Sequence, residues 1–193
     1  MILKKIVGLC TKTERVCTLQ QGEVQWLGNE QAFYALSEEI PWLSESMFCA
    51  AFDIKSKKAD KIAFSFGEPI PEGYDFTDKP KDEIQVERIN GIGVQWQGRT
   101  LIPFKASDGI AYLDKAHFAP LADLDDNLIY IFERRSKDGV LFFAVKFGFA
   151  VVAILLPYNN INKDFSEELS ALAELTNVRV SNMLKSKVDE QDV

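Results

Sequence analysis

A chain of 193 residues, 47% hydrophobic and 26% charged, has the size and make-up of one globular domain, able to bury about 70% of its unfolded surface without disulfide or metal support. Its 29 acidic and 22 basic residues leave a net charge of −7, which argues against nonspecific nucleic-acid binding, because phosphates attract basic surfaces. The three cysteines, Cys10, Cys17 and Cys49, lack CxxC spacing, the apolar start Met1–Val7 is too short for a signal peptide, and there is no Asn-x-Ser/Thr sequon, so the expectation is a cytoplasmic protein with buried free thiols.

Taken in order, Ile2 to Leu9 reads as an opening strand. Arg15–Gln20 and Glu23–Leu27 read as a hairpin turning at Gln21-Gly22. Asn29 to Leu36 reads as a helix capped at Asn29, or as a loop turning into one, and Ser37 with Pro41 starts a second, central helix over about 40–53. The lysines at 55, 57, 58 and 61 read as a solvated loop. Lys61–Phe66 is a short strand, and Gly67, Pro69, Pro71, Gly73 and Pro80 mark a surface loop over 67–80, where a sub-domain boundary would fall if there is one. Strands follow at 83–89, 93–97, 100–105 and 110–113, and Asp114–Leu121 makes one helical turn near Pro120.

The most apolar region runs from Leu128 to Pro157 and is rich in Val, Ile and Phe. Asp138-Gly139 and Phe147-Gly148 divide it into three antiparallel strands, about 128–135, 140–146 and 149–156, expected at the centre of the sheet. Val140–Leu156 is short of the ~20 apolar residues of a membrane helix and carries Lys146, so no membrane span is expected. Asp164 and Glu167 then form a capping pair before the stripe Phe165, Leu169, Leu172, Leu175. That C-terminal amphipathic helix is expected to reach Thr176 and to continue towards Lys187. The fold class is α+β, one domain over 1–193, with a mostly antiparallel sheet of hairpins and a meander.

Chemical motifs are sparse. His117 is the only histidine and reads as a partly exposed residue of a short turn, which leaves a Ser or Cys nucleophile with one candidate base. Neither a Rossmann nor a P-loop glycine pattern occurs. Asp123, Asp125 and Asp126 have a spacing that can ligate Mg²⁺ or Ca²⁺, although the glycine and distal glutamate of a calcium loop are missing. Val24–Gly28 and Val94–Gly98 match in four of five positions, and the two tryptophans, Trp26 and Trp96, with Arg99 nearby, are candidates for the wall of a small-ligand pocket.

These observations point to a non-catalytic binding or interaction protein with no cofactor, whose partner is a protein or a second copy of itself, meeting at a free sheet edge or the C-terminal helix. A small ligand is the weaker candidate partner, and neither nucleic acid nor membrane is expected. The alternative is a metal-assisted enzyme around residues 123–126.

Overall fold

A computed structural model describes residues 1–80, 82–90, 92–159, 161, 164–165, 167–169 and 171–172. The chain opens with helix α1 (Leu3–Lys12), not with the strand expected over Ile2–Leu9. Ile6, Val7 and Cys10 recur at helical spacing and are buried together; a run this short fits either period, and packing decides. Strands β1 (Arg15–Gln21) and β2 (Val24–Gly28) form the expected hairpin.

β3 (Ala32–Ala35) stands where a helix was expected over Asn29–Leu36. Asn29 does cap, but it caps a turn: its Oδ1 accepts from Gln31 N (3.2 Å) and Ala32 N (3.0 Å). This is the local competition by which Asn side chains favour turns over helices. A Cβ at Gly28 would collide with the carbonyl oxygen of Ala32, so the β2–β3 connection can close this tightly only around glycine.

The central helix expected over 40–53 is shorter, α2 (Glu45–Ala51), capped by Ser44 Oγ, which accepts from Met47 N at 3.4 Å. Ser37 belongs instead to a turn closed by Ile40 N donating to Ser37 O (2.9 Å). The exposed turn α3 (Ser56–Ala59) carries Lys57 and Lys58 into β4 (Ala63–Pro69). The strand expected over 83–89 splits into β5 (Ile84–Gln85) and β6 (Glu87–Arg88), because Val86 between them is buried and donates to Ile131 O (2.9 Å) while its neighbours pair in different sheets.

β7 (Val94–Trp96), β8 (Arg99–Ala106) and β9 (Gly109–Asp114) precede a 3₁₀ helix over Lys115–Leu121. The apolar meander then forms as its composition and turn residues predict: β10 (Ile129–Arg135), β11 (Leu141–Phe147) and β12 (Ala150–Leu155). Residues 164–165, 167–169 and 171–172 are helical; the expected continuation through Thr176 to Lys187 lies outside the described residues.

The large sheet has the order β4-β1-β2-β3-β12-β11-β10-β5 and is antiparallel except where β4 joins β1. A smaller sheet places β6, β7 and β9 around β8. The fold is therefore α+β and mostly antiparallel. The central strands are buried on both faces, which explains why they read as almost unbroken apolar runs. One face carries Leu27, Tyr34, Phe143, Val145 and Leu155 against α1, Phe48 of α2 and Ile102, Phe104 and Leu113 of the smaller sheet. The other carries Cys17, Leu19, Trp26, Phe33, Phe142 and Ile154, covered by Ile70, Tyr74 and Phe76.

That cover comes from the loop 67–80, which the central strands hold as a strap. Phe76 packs edge-on against Trp26 at 5.1 Å between ring centroids. Arg134 Nη1 donates to the carbonyls of Asp75 and Thr77 (2.9 Å each), and Lys146 Nζ donates to that of Asp78 (2.9 Å). Glu83 pairs with both cations, at 2.7 Å from Arg134 Nη2 and in direct contact with Lys146 Nζ. On the opposite face of β10, Glu133 accepts from Ser107 N (2.7 Å) and Ser107 Oγ, which fastens the β8–β9 turn to the large sheet. Among the described residues no helix is long and apolar enough to cross a membrane.

Candidate functional site

A cavity of about 590 Å³ lies where four connections converge. The end of α1 supplies Lys12 and Thr13, the start of β1 supplies Arg15, the β2–β3 connection supplies Asn29 to Gln31, the β7–β8 turn supplies Gln97 and Arg99, and the β9 exit supplies Asp114 and His117. Its volume falls in the range of about 300–1,000 Å³ typical of small-molecule sites. Four non-glycine residues among those described have left-handed backbone, and two of them, Glu30 (φ 69°) and Gln97 (φ 47°), line this cavity; a third, Glu14 (φ 56°), lies in sequence between the lining residues Thr13 and Arg15. Strained positions of this kind collect at functional sites because only the surrounding structure can hold them.

Two ion pairs organise the walls. Arg15 Nη1 meets both carboxylate oxygens of Glu30, at 2.7 and 2.6 Å, in the open part of the cavity. Deeper in, Arg99 Nη1 donates to Asp114 Oδ2 (3.0 Å) and to Gln31 Oε1 (3.3 Å), with its guanidinium 5.7 Å from the centre of the Tyr158 ring. Tyr158 in turn donates its hydroxyl to Gln97 Oε1 at 2.6 Å. Asp114 uses its other oxygen to cap the 3₁₀ helix, accepting from Ala116 N (2.9 Å), and so fixes the turn that carries His117. The lining therefore holds three cations, Lys12, Arg15 and Arg99, against two carboxylates, Glu30 and Asp114.

His117 is buried, at 3% exposure, and not the partly exposed turn residue expected from the sequence. The turn is present, but Tyr34 reaches across from β3 and donates its hydroxyl to the His117 carbonyl (2.7 Å), drawing the turn onto the core. His117 Nδ1 has no hydrogen-bond partner. Burial pushes the imidazole below its ordinary range; Asp114 opposes this shift and Arg99 adds to it, so the ring is held neutral. Burial likewise drives the Tyr34 hydroxyl well above the ordinary tyrosine range.

The residues singled out in the sequence are dispersed. Arg99 lines the cavity. Trp26 is 2% exposed in the core beneath the strap, whereas Trp96 packs 6.1 Å from Phe165 beside the smaller sheet, so the two tryptophans belong to different apolar clusters. The repeated Val-Gln-Trp segments are both strands but differ in setting: among the described residues β2 is paired on both sides, and β7 pairs with β8 alone.

Of the three aspartates, Asp123 Oδ2 accepts from the Met1 amine (2.7 Å), which holds its carboxyl below the usual range. Asp125 Oδ1 accepts from Asn127 N and Nδ2 (3.0 Å each). Among the described residues no three His, Cys, Asp or Glu side chains are grouped as a metal site. Sequence reasoning missed Lys12, Glu30, Gln31, Gln97 and Asp114. The one local signal was Asp114 three residues before His117, the spacing of a cap and the last residue of its first turn. Family models, curated proteins and solved structures all give no match to this chain.

Proposed function

We propose that this is a non-catalytic binding protein whose cavity between α1, the β2–β3 connection and β8 takes up a small polar molecule bearing an acid group, a carboxylate or a phosphate. The observation that carries the reading is the composition of the cavity wall. A protein with a net charge of −7 places three cations against two carboxylates there. Arg15 and Arg99 have carboxylate partners, which leaves Lys12 as the cation of this wall without one among the described ion pairs. Amides from Asn29, Gln31 and Gln97 supply both donors and acceptors around it.

The same wall is poor in catalytic parts. Its one hydroxyl side chain, Thr13, donates to the carbonyls of Leu9 and Cys10 (3.1 Å each), and no serine or cysteine lines the cavity. His117 is held neutral with one nitrogen sealed from solvent. Uptake without turnover is what such a wall supports.

The test is a thermal-shift series with mono- and dicarboxylates, phosphate esters and inorganic phosphate, run on the wild type and on Lys12→Gln and Arg99→Gln. A ligand present at about 100 times its Kd adds about 2.7 kcal/mol, a rise of roughly 5–10 °C for a domain of this size. The reading predicts such a rise for at least one acid, reduced in both variants. A flat series, or a rise that persists unchanged in Lys12→Gln and Arg99→Gln, overturns it.

A further inference from the structure

In the cavity between α1, the β2–β3 connection and β8, acceptors and donors are used unequally. The side-chain acceptors are engaged within the wall. Glu30 accepts from Arg15 on both carboxylate oxygens, at 2.7 and 2.6 Å. Asp114 accepts from Arg99 on Oδ2 (3.0 Å) and from Ala116 N on Oδ1 (2.9 Å). Asn29 Oδ1 accepts from the backbone N–H groups of Gln31 and Ala32, and Thr13 Oγ1 accepts from Asn29 Nδ2 at 3.3 Å. Gln31 Oε1 accepts from Arg99 Nη1 (3.3 Å), and Gln97 Oε1 accepts from the Tyr158 hydroxyl (2.6 Å).

The donors are left over. Lys12 Nζ, Gln31 Nε2 and Gln97 Nε2 have no partner among the described residues, and all three residues are exposed and line the cavity. Arg15 and Arg99 bind their carboxylates through Nη1, which leaves Nε and Nη2 of each. Chemistry fixes two of the amide orientations. An arginine or a backbone N–H can only donate, so the atoms that meet them at Gln31 and Asn29 are oxygens. Water can satisfy the exposed donors, so the imbalance stores no energy. It decides which solute can take the place of that water: one that accepts at each of its polar atoms.

We infer that the ligand of this cavity accepts hydrogen bonds at every polar group and donates none: a dicarboxylate, a 2-oxo acid or a phosphate monoester, ionised and without hydroxyl or amine. The inference rests on the reading of the cavity as a site for an acid, and it deepens that reading. A hydroxyl on the ligand would bring a hydrogen that meets only side-chain acceptors already engaged with donors of their own. An ammonium would add repulsion from Lys12, Arg15 and Arg99. Lys12 neutralises the acid group, while Gln31 and Gln97 determine specificity by offering the remaining oxygens donors and no free acceptor. Discrimination then comes from what the wall withholds as much as from what it offers.

The test is isothermal titration of the full chain at pH 8 with glutarate, 2-oxoglutarate, 2-hydroxyglutarate and glutamate, which share one skeleton and differ only at C2. Propyl phosphate and glycerol 3-phosphate make the same comparison for a phosphate. 2-Oxoglutarate should bind at least as tightly as glutarate. 2-Hydroxyglutarate should bind about three- to tenfold more weakly, glutamate more weakly still, and glycerol 3-phosphate more weakly than propyl phosphate. Whichever of glutarate and propyl phosphate binds tighter identifies a carboxylate or a phosphate as the source. Gln97→Glu puts a carboxylate at an exposed position where a free donor stood. It should weaken 2-oxoglutarate by about tenfold and narrow or reverse its advantage over glutamate, a ratio that a merely structural role of Gln97 would not move. If the hydroxylated and aminated acids bind as tightly as the plain ones, or if the ratio is unmoved in Gln97→Glu, the inference is overturned and the acid reading stands. If no acid binds, both fall.

Discussion

The burial of His117 makes the stability of this protein depend on pH in a predictable direction. The imidazole titrates near 6.5 in the unfolded chain and lower in the folded one, because burial disfavours its charged form. Between those two values the unfolded state binds the proton and the folded state does not. Stability attributable to this residue is therefore complete above about pH 6.5 and is lost as pH falls below it, by about 1.4 kcal/mol per pH unit, until the folded-state value is reached. For a chain of this length that slope amounts to a fall in Tm of roughly 3–6 °C per unit. Asp114 and Arg99 are the charged groups that bear on the ring, the first opposing the shift and the second adding to it. The assay is thermal unfolding at pH 7.5, 6.5, 5.5 and 5.0 for the wild type and His117→Gln. Comparing slopes cancels whatever the substitution itself costs. The variant should lose less stability than the wild type between pH 6.5 and 5.0. Parallel curves, or a wild type that gains stability on acidification, would refute the reasoning.

Two further outcomes follow from buried groups. Glu83→Gln should lower the unfolding free energy by about 3–5 kcal/mol in urea, because Arg134 and Lys146 would remain buried without their counter-charge; a loss below about 1 kcal/mol would mean that the strap does not depend on this cluster. Burial pushes the Cys10 thiol up to about 12 and the Cys17 thiol up to about 11, so both should resist a disulfide reagent at pH 8 until the protein unfolds, whereas Cys49, on the more exposed α2, should react first. Fast labelling of Cys10 in the native protein would contradict its place in the core.

How legible the fold was in the sequence depended on whether a residue's role was local. The meander could be read because its turns are coded by neighbours, Asp138-Gly139 and Phe147-Gly148, and its strands by a long apolar run. The N-terminal errors arose where short segments satisfied two periods at once. Leu3–Lys12 and Ala32–Ala35 are each decided by what they pack against, the first by Pro120 and the sheet face, the second by β2 and β12 on its two sides. The strap shows the same limit in another form. Glycines and prolines correctly marked 67–80 as irregular, but its anchors, Arg134, Lys146 and Trp26, lie at positions 40 to 80 residues away whose charge or ring gave no sign of that task. The cavity between α1, the β2–β3 connection and β8 was the least legible part. Its walls come from four separated stretches, and of the ligand-binding candidates named in advance only Arg99 stands in it. Asp114 and His117 were visible as a turn, yet their burial depends on Tyr34, 83 residues before His117.

Net charge illustrates why such sites need coordinates. A charge of −7 is a sound argument against a broad basic footprint for nucleic acid, because that interaction sums over many phosphates. It does not bear on a small ligand, because salt screens exposed charges beyond about 8 Å at physiological ionic strength. At that range the groups lining its own cavity weigh most. Here one hairpin borders two such neighbourhoods of opposite sign: the β2–β3 connection reaches Lys12, Arg15 and Arg99, and the start of β2 and the exit of β3 reach Glu23 and Glu38. Between them β2 buries Trp26 on one face of the sheet and Leu27 on the other, so low-dielectric core, not water, separates the two neighbourhoods along the strand. The acidic surplus of the chain therefore does not prevent a local excess of cations in one cavity, where Lys12, Arg15 and Arg99 stand together.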